Sequence, residues 1–459
     1  MPLPVILIFD IGKTNKKVLL FDKQYKLVYE EAEQLPETKD EDGFPCEDVY
    51  TLTEWVKTSF QKIQSDKRFE VKAVNVSAYG ASFVHLNHQN QSFLPLYNYL
   101  KPYDENLQQQ FYNTFGGEEK ITKETASPVL GNLNSGMQLY ALKHTKPKQY
   151  ANISYSLHLP QYITLVLCDA LCSDITSIGC HTNLWHFKQN DYHDWVYKEG
   201  IDKKLAPVLP CTEIAGTTNN NIPVGGGLHD SSAALIPYST SFNKPFILLS
   251  TGTWSISINP FNHTTLTANE MSQDCLHYLS YEGNTVKASR LFAGYEHEQG
   301  IKRMAAHYHT SPDYYKTIRY DISLYNKLQK RQPEAIKNHT DRVEQSLFEK
   351  CDLHDFTTWE EAYHQFIFDI MKQQVSSTRL VMNNTPVSQI FVDGGFSKND
   401  VYMNLLADAF PHIEVYSATV AQASALGAAI AIKKAWNDNE LPSDLISVKR
   451  YQPAYNNVL

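Results

Sequence analysis

Disulfide and zinc-ribbon chemistry have little to draw on: the 459 residues hold seven cysteines, an odd number, with no C-x-x-C pair. Cys168 and Cys172 lie four apart in an apolar segment, a spacing that shares one helix face. Buried, reduced thiols fit this usage better than a disulfide framework or a zinc site. Excess positive charge is missing as well. Lys and Arg number 41 against 50 Asp and Glu, a net charge of −9, which argues against a general binder of nucleic acid or of anionic membrane. A phosphate ligand stays open, because a single pocket can be locally positive. No apolar run reaches membrane-span length, and the first residues enter a β-like segment without a basic, then apolar, leader pattern. The expected location is cytoplasmic. What is present is 42% hydrophobic and 20% charged residues, the balance of a globular chain. At this length two large domains are expected.

The most informative stretch is Gly225-Gly226-Gly227-Leu228-His229-Asp230-Ser231-Ser232. Three glycines leave a backbone that turns sharply or lets another molecule approach closely. Ser231 to Leu235 reads as the first turn of a helix, and a carboxylate there can accept a proton from a hydroxyl. The same pattern also serves as a plain N-cap.

Val5 to Phe9 is continuously apolar, as a strand buried on both faces is, and Val18 to Asp22 returns as a second strand. Between them lies Asp10-Ile11-Gly12-Lys13-Thr14-Asn15-Lys16-Lys17. Gly12-Lys13-Thr14 is not the end of a P-loop, because Leu7 occupies the position of that motif's first glycine. A hairpin turn of Gly, Thr, Asn and Lys can still hold phosphate, and Asp10 is placed to position Mg²⁺ through water. An ordinary charged turn is the alternative. Pro245 to Ile258 repeats the pattern: strand, the turn Thr251-Gly252-Thr253, strand. Two such hairpins facing each other across a cleft would grip one polyphosphate.

Elsewhere, Val71 to Ser77 alternates like a strand, and Gly80 and Ala81 follow in a turn that admits a small ligand. Leu133 to Lys143 and Leu157 to Leu171 read as helices, and the surroundings of Trp185 and Trp195 as a packed surface loop. Gln389 to Val392 reads as a strand, after which Asp393-Gly394-Gly395-Phe396-Ser397-Lys398-Asn399-Asp400 leads into a helix, with Ser397 and Asp400 as a capping box. Ala421 to Ala429 is a helix rich in small residues, suited to close packing or to a flat ring. About 295 to 359 is more polar, with charge clusters such as Lys327 to Arg331.

Asp10-x-Gly12, Gly225-x-x-x-His229-Asp230, Ser250-Thr251-Gly252-Thr253-Trp254, Asp393-Gly394-Gly395 and Ala423-Ser424-Ala425-Leu426-Gly427-Ala428-Ala429 occur in this order. With them the chain resembles the FGGY family of carbohydrate kinases from residue 5 to about 434, least between 295 and 375. It is most similar to the rhamnulokinase and fuculokinase branch, where a Gln-Leu-Tyr-x-Leu-Lys helix, here Gln138 to Lys143, also occurs. The resemblance implies an α/β fold of two actin-like domains of the sugar kinase/Hsp70, ribonuclease H-like, superfamily. Each would hold a mixed five-stranded sheet, with a cleft between the domains. Residues 1–240 would bind sugar and 241–459 ATP.

Carried over by position, Asp230 would be the general base, and Gly80, Ala81, His229 and Asp230 would line the sugar site. Gly12, Lys13, Thr14, Asn15, Lys17, Thr251, Gly252, Thr253, Gly394, Gly395, Phe396 and Gln422 would bind ATP, and Asp10 would hold Mg²⁺ through water. The implied partners are a small-molecule sugar and ATP, neither nucleic acid nor membrane, with a homodimer left open. The sugar implied is a 6-deoxyketose such as L-rhamnulose or L-fuculose. Xylulose, ribulose or glycerol are the alternative acceptors, and a non-catalytic ATP-binding switch is the rival of another class. Lys13, Gln422 and Ala141 stand where relatives usually carry a small residue, Glu and Trp. No substrate-contacting Asn aligns in Leu291 to Glu298. These departures bear on the identity of the sugar.

Overall fold

The computed structural model describes residues 1–331, 348–420 and 422–453. These form two seven-stranded mixed sheets. The first contains β1 (Leu3–Ile11), β2 (Lys16–Asp22), β3 (Leu27–Glu33), β4 (Phe69–Ala78), β5 (Ile214–Thr217), β6 (Pro223–Gly225) and β7 (Leu228–His229). Its order is β5-β6-β4-β1-β2-β3, with β7 continuing along β4 past the end of β6. The second contains β8 (Phe246–Thr251), β9 (Ser255–Asn259), β10 (Cys275–Leu279), β11 (Thr285–Leu291), β12 (Gln389–Gly394), β13 (Glu414–Thr419) and β14 (Ser447–Tyr451), in the order β10-β11-β9-β8-β12-β13-β14. Both are built alike. An antiparallel hairpin leads each sheet, and the first strand of the hairpin pairs in parallel with the strand on its other side.

The continuous apolar run of β1 follows from burial on both faces. Val5, Leu7 and Phe9 enter one core with α1 (Val49–Ser65) and α2 (Leu159–Cys168), while Ile6 and Ile8 enter another on the opposite face. That second core holds α3 (Asp230–Ser241) and α4 (Ala423–Ala431). α3 lies between the sheets: Ala233 and Ile236 belong to the core of the first, Leu235 and Tyr238 to that of the second. α4 comes from the end of the chain and packs on the first sheet. The contact between α3 and α4 leaves no room for a side chain, since a Cβ on Gly427 would stand 1.8 Å from the Ala233 carbonyl oxygen. The small residues of α4 thus serve close helix packing. Ala421, in the same run, lies outside the described residues.

Several expectations need correction. Each sheet has seven strands where five were implied: the first gains the edge strand β5 and the short β7, and the second the edge strands β10 and β14. Leu157 belongs to a strand, Tyr155–His158, paired with Phe83–Leu86, and the helix begins at Leu159. Cys168 closes that helix and Cys172 lies beyond it, so they share no helix face. Trp195 is fully buried and Trp185 nearly so, in a core of their own with Phe111 and Tyr140. The helix Asp400–Ala409 is capped by Asn399, which accepts from the Tyr402 N–H; Ser397 instead donates to the Gly394 carbonyl (2.7 Å). Among the described residues no helix is long and apolar enough to cross a membrane.

Gly427→Ala is expected to cost about 1–3 kcal/mol, the usual range for overpacking, and to lower the thermal midpoint in a circular-dichroism melt. An unchanged midpoint would mean that α3 and α4 part without penalty.

Candidate active site

Asp230 is the first residue of α3, not its cap. The N-cap is His229, and the Asp230 carboxylate accepts only from Ser231 Oγ (3.3 Å) among the described residues. It is 36% exposed, whereas the His229 side chain beneath it is 6% exposed, with Nε2 3.5 Å from Asp230 Oδ1. The glycines before it admit the protein's own chain. A Cβ on Gly225 would meet Asn75 Oδ1 at 2.4 Å, and one on Gly227, where φ is +77°, would meet Pro160 at 2.9 Å. Asn75 Oδ1 accepts from the Gly227 and Val76 N–H groups, and its Nδ2 donates to the Ala428 carbonyl (2.8 Å). One buried amide therefore fixes β4, the glycine run and α4 together.

Asp10, half-buried near the end of β1, accepts from Ser424 Oγ at the start of α4 (3.0 Å). Burial first, and then the Asp230 carboxylate, raise its pKa from 3.8 to about 6, against hydrogen bonds from Ser424 and Ser77. Two carboxylates facing each other with too little compensating charge form a donor set suited to a hard divalent cation.

Gly80 packs against His229 so closely that a Cβ would lie 2.5 Å from its ring. Ala81 is held at φ +65°, a strained value for a residue with a Cβ. Its carbonyl accepts from Gln138 Nε2 (2.7 Å), on the helix Ser135–Thr145. Ala141 of that helix lines a cavity of about 190 Å³ with Tyr97, Tyr103 and Gln138.

The first hairpin turn closes through the Gly12 N–H donating to the Asn15 carbonyl (2.9 Å), with Thr14 and Asn15 exposed at its tip. Lys16 is buried and holds the turn from below, bonding Glu47 (2.7 Å) and the carbonyls of Gly12 and Lys13. Lys13 pairs with Glu37 (3.1 Å). Lys17 donates to Gln422 Oε1 (2.8 Å), and Gln422 donates onward to Glu30 (2.8 Å). Gln422 thus ties the start of α4 to the first hairpin.

The second hairpin turn meets the strand end of β12. Thr251 Oγ1 donates to the Asp393 carbonyl and accepts from the Phe396 N–H (3.0 Å), and the Thr251 carbonyl accepts from the Gly395 N–H (2.7 Å). Gly394 has φ +87°, and a Cβ there would lie 2.0 Å from the Thr251 oxygen. Gly252, Thr253, Gly394 and Gly395 form an exposed backbone surface. The Phe396 ring is buried and stacks on Tyr402 (4.5 Å between centroids), so only its main chain borders that surface.

Sequence reasoning missed four neighbours. Ser424 bonds Asp10, Tyr99 lies within electrostatic reach of Asp230, and Cys180 and His181 stand beside His229. Only Ser424 carried a signal, as part of the small-residue run. A separate groove of about 1080 Å³, lined by Lys120, His186 and His263, shares no residue with this site.

Residues 5–237 match the N-terminal domain of the FGGY family of carbohydrate kinases and residues 362–436 its C-terminal domain. The fold is similar to a carbohydrate kinase from Novosphingobium aromaticivorans, at 21% identity and a TM-score of 0.77, over 99% of this chain and 95% of that one. A xylulose kinase from Lactobacillus acidophilus gives 15% and 0.78 over 98% and 94%. A Plasmodium falciparum glycerol kinase with ADP gives 14% and 0.72 over 95% and 90%.

Asp10 titrates near 3.8 unfolded and near 6 folded, so stability present in acid is lost as pH rises towards 6. Asp10→Asn is expected to raise the thermal midpoint of the ligand-free protein by at least about 2 °C at pH 7.5, with the difference vanishing below pH about 4. Equal midpoints at both pH values would refute the carboxylate conflict.

Proposed function

The chain belongs to the FGGY family of carbohydrate kinases, an ATP-dependent sugar kinase, and from that premise we propose that Asp230 activates the acceptor hydroxyl of a ketose. The observation that carries this is the placing of Asp230: a partly exposed carboxylate at a helix N-terminus, free of the capping role and resting on buried His229. Family membership sets aside the non-catalytic ATP switch.

Phosphoryl transfer asks a protein mainly for positioning and charge stabilisation. In the proposed reaction the sugar oxygen attacks the γ-phosphorus in line, the bond from that phosphorus to the bridging oxygen breaks, and the hydroxyl proton passes to Asp230. His229, locked by Gly80, orients the carboxylate. The exposed tip residues Thr14 and Asn15, together with Lys13, Lys17 and Thr253, receive phosphate oxygens. The bare glycine surface of Gly394 and Gly395 borders the nucleotide, beside Gln422. Asp10, with its charge opposed by Asp230, would hold Mg²⁺ through water. When bound, the ion would supply charge neutralisation on the phosphates. Closure of residues 1–240 on 241–459 would exclude water as a competing acceptor.

The acceptor we propose is a 6-deoxyketose of the rhamnulose or fuculose type. The Gln138–Lys143 stretch, reaching Ala81 through Gln138, and the Thr-Gly-Thr-Trp and His-Asp motifs of the sequence support that reading. Xylulose, gluconate and glycerol, named for structural relatives, are the competing acceptors.

A coupled ADP-release assay over ketoses and polyols is expected to give its highest kcat/KM with a 6-deoxyketose. A maximum on a pentulose, gluconate or glycerol would replace that acceptor while leaving the reaction class intact. With the best acceptor, Asp230→Asn is expected to lower kcat by at least about 100-fold, the lower end for general-base loss, while ATP binding by calorimetry persists. Near-normal turnover would remove Asp230 from the mechanism.

A further inference from the structure

Behind the Asp230 carboxylate, Cys180, His181 and His229 bring one sulfur and two ring nitrogens within 4.8 Å of one another. Cys180 and His229 are buried and His181 half-buried. We infer that these three side chains form a binding site for a soft divalent cation of the Zn²⁺ class, distinct from the Mg²⁺ that accompanies ATP.

The hydrogen bonding of both rings favours this assignment. His181 Nδ1 faces the Leu133 carbonyl oxygen (3.2 Å), which leaves Nε2 as the ligand atom. His229 Nε2 faces Asp230 Oδ1 (3.5 Å), while its Nδ1 is buried with no hydrogen-bond partner among the described residues. In each ring one nitrogen faces an oxygen acceptor and the other is left for a metal, the arrangement that fixes tautomer and basicity in histidine-ligated sites. A lone buried imidazole nitrogen is costly unless something binds it. The loop carrying two of the ligands is also fixed: Asn134 Nδ2 donates to the His181 carbonyl (2.6 Å) and the Gly136 N–H to the Thr182 carbonyl (2.9 Å).

Binding would release the thiol proton and leave thiolate and neutral rings as ligands. Zinc ligands at about 2.0–2.3 Å stand about 3.3–3.6 Å apart at tetrahedral angles. The cluster would close by about 1 Å, within reach of the half-buried His181 ring. Thiolate with two imidazoles selects against Mg²⁺, which prefers oxygen donors. Three protein ligands leave the fourth position to water.

The test reads binding and needs no kinase activity, so its failure is distinguishable from failure of the proposed reaction. The full-length protein, stripped with EDTA, desalted and kept under reductant in the presence of excess Mg²⁺, is titrated with Co²⁺. About one ion per chain is expected, with the visible bands of four-coordinate Co²⁺ and a thiolate charge-transfer band in the near ultraviolet. Zn²⁺ should displace it stoichiometrically. Cys180→Ser should abolish the charge-transfer band, and His181→Ala should weaken binding at least about 10-fold. Cys351→Ser, altering a thiol remote from the cluster in sequence, should change neither. If Cys180→Ser does not fold, His181→Ala and the charge-transfer band of the unaltered protein carry the test. Absence of that band, or its persistence in folded Cys180→Ser, would overturn the inference.

Discussion

The contact between α3 and α4 is the constraint on which the remaining geometry depends. Because Gly427 lies against the Ala233 carbonyl, two helices from distant parts of the chain cross at a separation that admits no side chain. The N-terminus of one is Asp230, and near the other's is Ser424, which bonds Asp10. Close packing thus aims two helix starts at the end of β1. Each start has unpaired N–H groups and the positive end of a dipole, which favours negative charge nearby. Asn75 sets the same convergence from below, holding the glycine run and the Ala428 carbonyl with one side chain.

Charge at this convergence is arranged at a cost to stability. Asp10 is held out of water and opposite Asp230, so it keeps its proton to a higher pH, about 6, than an ordinary carboxyl. His229 is buried opposite the thiol of Cys180 and under the Asp230 carboxylate. Opposed like charges and the orphaned Nδ1 of His229 are features folding alone does not select. Cations and polar ligands would relieve them, which fits the proposed site.

Much of this was readable from motifs. The strand-turn-strand pattern at both hairpins, the helix after His229-Asp230 and the glycine pair after β12 all appear where their residues place them. These signals are local, set by backbone periodicity and by turn chemistry within a few residues. Other features depend on contacts from distant parts of the chain. Of the two uses open to the glycine run, a sharp turn or a close approach, the space beside Gly225 and Gly227 is taken by Asn75 and Pro160. Burial of the Phe396 ring, which leaves only its main chain at the glycine surface, is likewise set by packing on Tyr402. The segment around Trp195 carries polar neighbours that read as a packed surface loop and hide the inward direction of a fully buried ring.

Local order of residues, then, determined the two repeated hairpins, the helix opening at Asp230 and the family resemblance. These rest on hydrogen-bonding and steric rules that act over short stretches. Tertiary structure alone decided that Asp230 is free of capping, that Ser424 reaches Asp10 across 414 positions and that His229 meets Cys180 and His181. Those partners are brought together by packing α3 and α4 on the first sheet and by the loop after Ile178, whose Cys180 enters the core of the second sheet. No spacing along the chain records which residues will meet there.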